Sequence, residues 1–107
     1  MLPEISIACY RPKPGKEAEL LQIVKDHLPI LHKEGLVTDR KSIVMRAEDG
    51  TIVEVFEWKS AAAIDAAHKN ATVLAMWERF DQCCTFHPLT DLQESKELFA
   101  GFEPVSF

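Results

Sequence analysis

Long apolar runs are missing from this chain. Its uninterrupted apolar stretches fall far short of the roughly 20 residues that a membrane-spanning helix needs. Its start, MLPEISIACYRPKP, places Glu4 early and has no basic segment followed by a long apolar one. A cytoplasmic location is therefore expected, without a membrane partner. Basic charge is also scarce: 12 Lys and Arg stand against 17 Asp and Glu, for a net charge of −5. With no Lys/Arg-rich run there is no electrostatic footprint for a phosphate backbone, and nucleic acid is not an expected partner. The 3 cysteines are odd in number and two of them, Cys83 and Cys84, are adjacent, which excludes a paired disulfide framework and fits reduced thiols. No glycine-rich phosphate loop, G-x-S-x-G elbow or dinucleotide fingerprint occurs. Cys83 and Cys84 followed by His87 supply zinc-binding residue types but lack the C-x-x-C spacing and a second ligand pair, so no metal site is expected.

What is present is enough for one domain. The chain has 107 residues, 47% of them hydrophobic, a composition that supports a true core. A chain of this size buries roughly 65% of its unfolded surface, so covering more apolar area through a partner is favourable.

Proline and glycine punctuate the chain, since no repeat, linker or low-complexity tract does. EISIACYR alternates Ile5, Ile7 and Cys9 against Ser6, Ala8 and Tyr10 and reads as a first strand, which PKPG ends. From Lys16 to about His32 the apolar positions Ala18, Leu21, Val24, Leu28 and Leu31 recur at helical spacing, with Leu20, Ile23 and Ile30 broadening the stripe. Pro29 should kink or divide this helix, and Gly35 is a natural stop. KSIVMRAEDGTIVEVFEW holds two strand-like runs joined through Asp49-Gly50, a hairpin signal. Ser60 can cap an alanine-rich helix that reaches His68, with Lys69-Asn70 as a break. A further helical stretch follows, carrying Val73, Trp77, Phe80 and Cys84 on one stripe. TFHPLTDL reads as a fourth strand at an edge or bulge because of Pro88, and ESKELFAGF as a short terminal helix closed by Gly101.

The order β-α-β-β-α-β defines an α+β domain with an antiparallel sheet, in the ferredoxin-like arrangement. It is expected to form its core over about 5–92 with a helical tail over 93–107. The third strand is apolar on both faces, with Ile52, Phe56 and Trp58 against Val53 and Val55. An antiparallel sheet that meets water on one side alternates polar residues outward, so the second face should be covered too, by a second copy packing sheet on sheet. Arg46 and Glu54, charged residues in apolar strands, are expected to form a structural ion pair with one another or across the dimer.

EVFEWKS at the end of a strand, the helix reaching AAH, the following VLAMW and the earlier RPKPGKEAEL together resemble the antibiotic biosynthesis monooxygenase-like (ABM) family of dimeric α+β barrel proteins, over roughly Ile5 to Leu92. The resemblance implies a homodimer with facing sheets and, in each subunit, a pocket between the helices and the sheet. Family members include cofactor-free oxygenases of polycyclic phenols, quinol monooxygenases, heme-degrading enzymes and isomerases. The heme-degrading branch uses an Asn on the first strand, whereas the only Asn here is Asn70, so no heme or other cofactor is expected.

Within that frame the function expected is a cofactor-independent monooxygenase acting on an aromatic or quinol-like molecule. His68, four residues after Ile64, would share a helix face directed at the sheet and serve as the base; a histidine titrates near ~6.5, close to working pH. Trp58, Trp77 and Phe80 would wall the pocket, His27 would enter from the first helix, and Tyr10 could offer its hydroxyl. The alternatives are a non-catalytic module that binds a small apolar ligand or only dimerises, and an isomerase of a small hydroxy-carbonyl compound, which would need a polar pocket and no oxygen.

Overall fold

Alternation along the first strand decides how the sheet is built. The computed structural model describes residues 2–107. In it β1 (Glu4–Pro12) pairs antiparallel with β3 (Ile52–Trp58), setting Ser6 opposite Phe56, Ala8 opposite Glu54 and Tyr10 opposite Ile52. Residues directly opposite share a face, so these pairs point one way, while Ile7 with Val55 and Cys9 with Val53 point the other. β2 (Ile43–Arg46) joins β3 through the expected turn, in which Gly50 takes φ +92°, a conformation that glycine adopts without strain. β4 (Cys84–His87) pairs with β1, and β5 (Glu103–Pro104) with β2. The result is a five-stranded antiparallel sheet in the order β4-β1-β3-β2-β5. Proline next to an edge strand and within another is tolerated because no ladder donor is needed there.

Three helices cover the face that carries Ala8, Tyr10 and Phe56. α1 (Glu17–Lys33) buries Leu20, Ile23, Val24, His27 and Leu31, the stripe that helical spacing brings to one side. Pro29 lies inside this helix and does not divide it, the second of the two outcomes expected of it. A single lost donor leaves the rest of the ladder intact. The helix ends where Gly35, at φ +74°, lets its own N–H donate to His32 O and that of Leu36 to Leu31 O, so the last carbonyls are satisfied. α2 (Ala61–Ala67) starts at Ser60, whose Oγ accepts from the Ala63 N–H at 3.1 Å. α3 (Ala71–Cys83) starts at Asn70, whose Oδ1 accepts from the Val73 N–H. α3 passes into β4 without a loop, Cys83 ending the helix and Cys84 beginning the strand. Cys84 therefore leaves the helical stripe on which its spacing had placed it.

The opposite face is closed in part by the chain itself. No terminal helix forms from ESKELFAGF. The segment after β4 instead makes two short 3-10 turns, Leu89–Asp91 and Gln93–Lys96, and then returns as β5. It drops Leu92, fully buried, and Phe102 onto Cys9, Ala47 and Val53. The stretch between these anchors is pulled away from the surface: Leu98 and Phe99 are 91% and 89% exposed. Beyond this cover the face is bare, with Ile5, Ile7 and Ile43 exposed by 54%, 49% and 60%.

Candidate functional site

Glu54 sits at the middle of β3 with the same parity as Ile52, Phe56 and Trp58, so its carboxylate is carried into the helix-covered interior and is completely buried. A buried charge of this kind is costly unless it is hydrogen-bonded. The Tyr10 hydroxyl, from the facing strand, donates to Oε1 at 2.8 Å, and His27 Nδ1, from α1, lies 2.7 Å from the same oxygen. A carboxylate oxygen that accepts from both partners matches the His27 tautomer with its proton on Nδ1, the one that leaves Nε2 as the acceptor. Burial, and next the Glu54 charge, hold the Tyr10 hydroxyl well above its ordinary range, so it remains a donor at any working pH. The second carboxylate oxygen, Oε2, is buried with no partner among the described residues. Arg46 does not pair with Glu54 as expected; it lies toward the sheet edge and binds Glu17 at 3.1 Å and Glu103 at 2.9 Å.

Above this triad lies a cavity of about 170 Å³. Its sheet wall is made of Ala8, Tyr10, Phe56, Trp58 and Phe86, and its helix wall of His27, Trp77 and Phe80. The rings hold one another in place. Tyr10 stacks on Phe80 at 4.7 Å between centroids, and the His27 ring stands edge-on to Phe56 at 5.3 Å and to Phe80 at 5.2 Å. Trp58 is fixed through its Nε1, which donates to Ser6 Oγ at 3.1 Å. Phe86 is exposed and Trp77 and Ala8 are half-buried, so the cavity opens at their side. Larger hollows exist on the surface; one of them, beside Arg46, Glu48, Glu94 and Glu103, lies between charged side chains and has no wall of aromatic rings.

The structure thus brings Tyr10, His27, Trp58, Trp77 and Phe80 together around one space, and leaves His68 outside it. The inward stripe of α2 is Ala63 and Ala67, so His68 falls one step further round the helix. It is exposed at the helix end, with Nδ1 2.8 Å from the Ile64 carbonyl and its ring edge-on to the outer part of Trp77 at 5.0 Å. His32 pairs with Asp39 at the surface, and His87 lies between Thr85 and Asp91. The cysteine thiols are blunted: burial raises Cys9 and Cys83, and raises Cys84 to about 11, while the Cys84 thiol donates to Phe80 O. The residue that sequence reasoning missed is Glu54. Its signal was parity, a carboxylate at an even step between Ile52 and Phe56 on the inward face of a strand.

Comparison of the chain with protein-family models, with curated proteins and with solved structures finds no match.

Proposed function

We propose that the protein is a cofactor-independent monooxygenase of a small aromatic or quinol-like molecule, with His27 as the base. One observation carries this reading: a histidine whose Nδ1 is tied to a buried carboxylate lines an aromatic cavity, and its second nitrogen has no protein partner among the described residues. Such a nitrogen accepts a phenolic proton, and Glu54 then stabilises the imidazolium. The substrate anion is electron-rich enough to reduce dioxygen. For a hydroquinone the sum closes as quinol plus dioxygen giving hydroxyquinone plus water. One oxygen atom enters the ring, the other leaves as water, and all four electrons come from the substrate, so no separate reductant is required.

The largely apolar walls weigh against the isomerase alternative, which needs several polar contacts. A homodimer of ferredoxin-like subunits with facing sheets belongs to the same proposal. The strand order β4-β1-β3-β2 and the bare Ile5, Ile7 and Ile43 support it. Sedimentation should give a dimer at micromolar concentration, and Ile7→Asp should give a folded monomer.

The test of activity is enzyme-dependent oxygen uptake with a panel of hydroquinones. His27→Gln keeps a donor for Glu54 but has no basic nitrogen. It should lower the rate by about a hundredfold or more, in the range of general-base catalysis, whereas His68→Ala should retain most of it. Uptake that is absent with every quinol, or unchanged in folded His27→Gln, sinks the oxygenase reading; saturable binding without uptake would leave a binding module.

A further inference from the structure

We infer that the cavity takes a monocyclic phenol or quinol without a charged substituent, and that it rejects both fused tricyclic phenols and ring carboxylates. This rests on the cavity being the reactive site.

Size gives the first limit. The cavity holds about 170 Å³, and an apolar cavity of about 150 Å³ is known to admit benzene, so one ring with small substituents fits within the walls and further rings would be left outside them, in water beside Phe86. The walls do not yield readily. The Tyr10 ring stacks on Phe80, Phe80 and Phe56 flank the His27 ring, and His27 and Tyr10 are both bonded to Glu54. Enlarging the space for a second and third ring means moving several packed groups at once, which interiors of crystal-like density resist.

The polar atoms give the second limit. The Tyr10 hydroxyl is committed to Glu54, and Trp58 Nε1 to Ser6. Among the described residues this leaves two ring nitrogens of the lining side chains without a protein partner: His27 Nε2, an acceptor, and Nε1 of the half-buried Trp77, a donor. A hydroxyl that donates to Nε2 matches the first, and a second ring oxygen has a donor available at the other.

Charge gives the third limit. No Lys or Arg lines the cavity, and the fixed charge nearest its floor is the Glu54 carboxylate, reached through His27. A carboxylate on the ring would enter a poorly screened space against a like charge. A neutral hydroxyl meets no such penalty.

The test uses the wild-type protein and needs no turnover: calorimetric titration with phenol, hydroquinone, toluene and benzoate, and displacement of phenol by 9-phenanthrol. Phenol and hydroquinone should bind at one site per chain, roughly tenfold or more tighter than benzoate and roughly fivefold tighter than toluene, the worth of one hydrogen bond. 9-Phenanthrol should not displace phenol. Ala8→Leu, which fills the space from β1, should weaken phenol by roughly tenfold while the circular dichroism spectrum is unchanged. Benzoate binding as well as phenol, effective displacement by 9-phenanthrol, or phenol binding untouched by Ala8→Leu would each overturn the inference. The two readings fail separately. Phenol binding with these preferences but without oxygen uptake from any quinol keeps the inference and removes the oxygenase, and oxygen uptake with a tricyclic phenol alone does the reverse.

Discussion

The two faces of the sheet start from the same material and are closed by different means. Val53 and Val55 on one are as apolar as Ile52 and Phe56 on the other. On the inner face three helices make a continuous core, and the same closure buries Glu54, which binds Tyr10 and His27 across three elements. The outer face has only a strap of irregular chain, anchored by Leu92 and Phe102, and it leaves Ile5, Ile7 and Ile43 in water. Regular elements that bring long side chains from several directions can supply two partners to one oxygen of a buried carboxylate, while its other oxygen stays without one among the described residues. A strap that carries two apolar anchors can only fill a hollow.

The largest effect should come from His27→Ala. The substitution leaves the Glu54 charge buried with one donor fewer and empties the space between Phe56 and Phe80, so it should cost about 3–5 kcal/mol in denaturant unfolding. A cost under about 1 kcal/mol would mean that the inner polar cluster is not integral to the core. Leu92→Ala tests the outer face. With its side chain fully buried, it should cost about 2–4 kcal/mol, whereas Phe99→Ala, only a few residues further along the strap, should stay within about 0.5 kcal/mol. Equal costs would erase the distinction between anchor and exposed loop.

The next effect is set by pH. The folded state holds Tyr10 in its protonated form well past its ordinary range. Stability from this group is therefore complete below the unfolded value near ~10, and it falls as pH rises toward the folded value, by at most about 1.4 kcal/mol per pH unit. Tyr10 is the single tyrosine of the chain, so tyrosinate absorbance reports it alone. It should appear late and together with unfolding; ordinary titration near ~10 in the folded protein would mean that the hydroxyl is not bound as described. The smallest effect is local. Ser60→Ala removes the acceptor for the Ala63 N–H and should cost about 1 kcal/mol by thermal or chemical unfolding.

Much of the architecture was legible in the sequence because short-range rules govern it. The alternation of β1, the Asp49-Gly50 turn, the Ser60 cap, the break at Lys69-Asn70 and the Gly35 stop each depend on residues within a few positions of one another. The candidate site was legible in its apolar part, since Trp58, Trp77 and Phe80 are large rings on recognisable stripes. Its polar part was harder. Glu54 was expected to pair with Arg46, or across a dimer, because both are charged residues in apolar strands, although parity alone already directed it inward, and its partners lie on elements distant in sequence. His68 was misplaced because Ile64 was taken as the inward position of α2, when the small Ala63 and Ala67 allow the closest approach to the sheet. The tail deceived for a physical reason as well. Glu94 to Phe102 has adequate helix propensity, but burying Leu92 and Phe102 in one hollow outweighs it.

The loopless junction of Cys83 and Cys84 bears on how far the mouth of the cavity can widen. Phe80 on the helix side and Phe86 on the strand side belong to one unbroken length of chain, so there is no hinge between two of the walls. Tilting α3 outward would drag β4 with it. Because β4 is an edge strand that pairs in the sheet with β1 alone, the line along which the two would part is that ladder, from Cys9 with His87 to Pro12 with Cys84. The mouth beside Phe86, Trp77 and Ala8 would then widen as a seam that unzips, and amide exchange along β4 would rise when an occupant larger than that mouth enters.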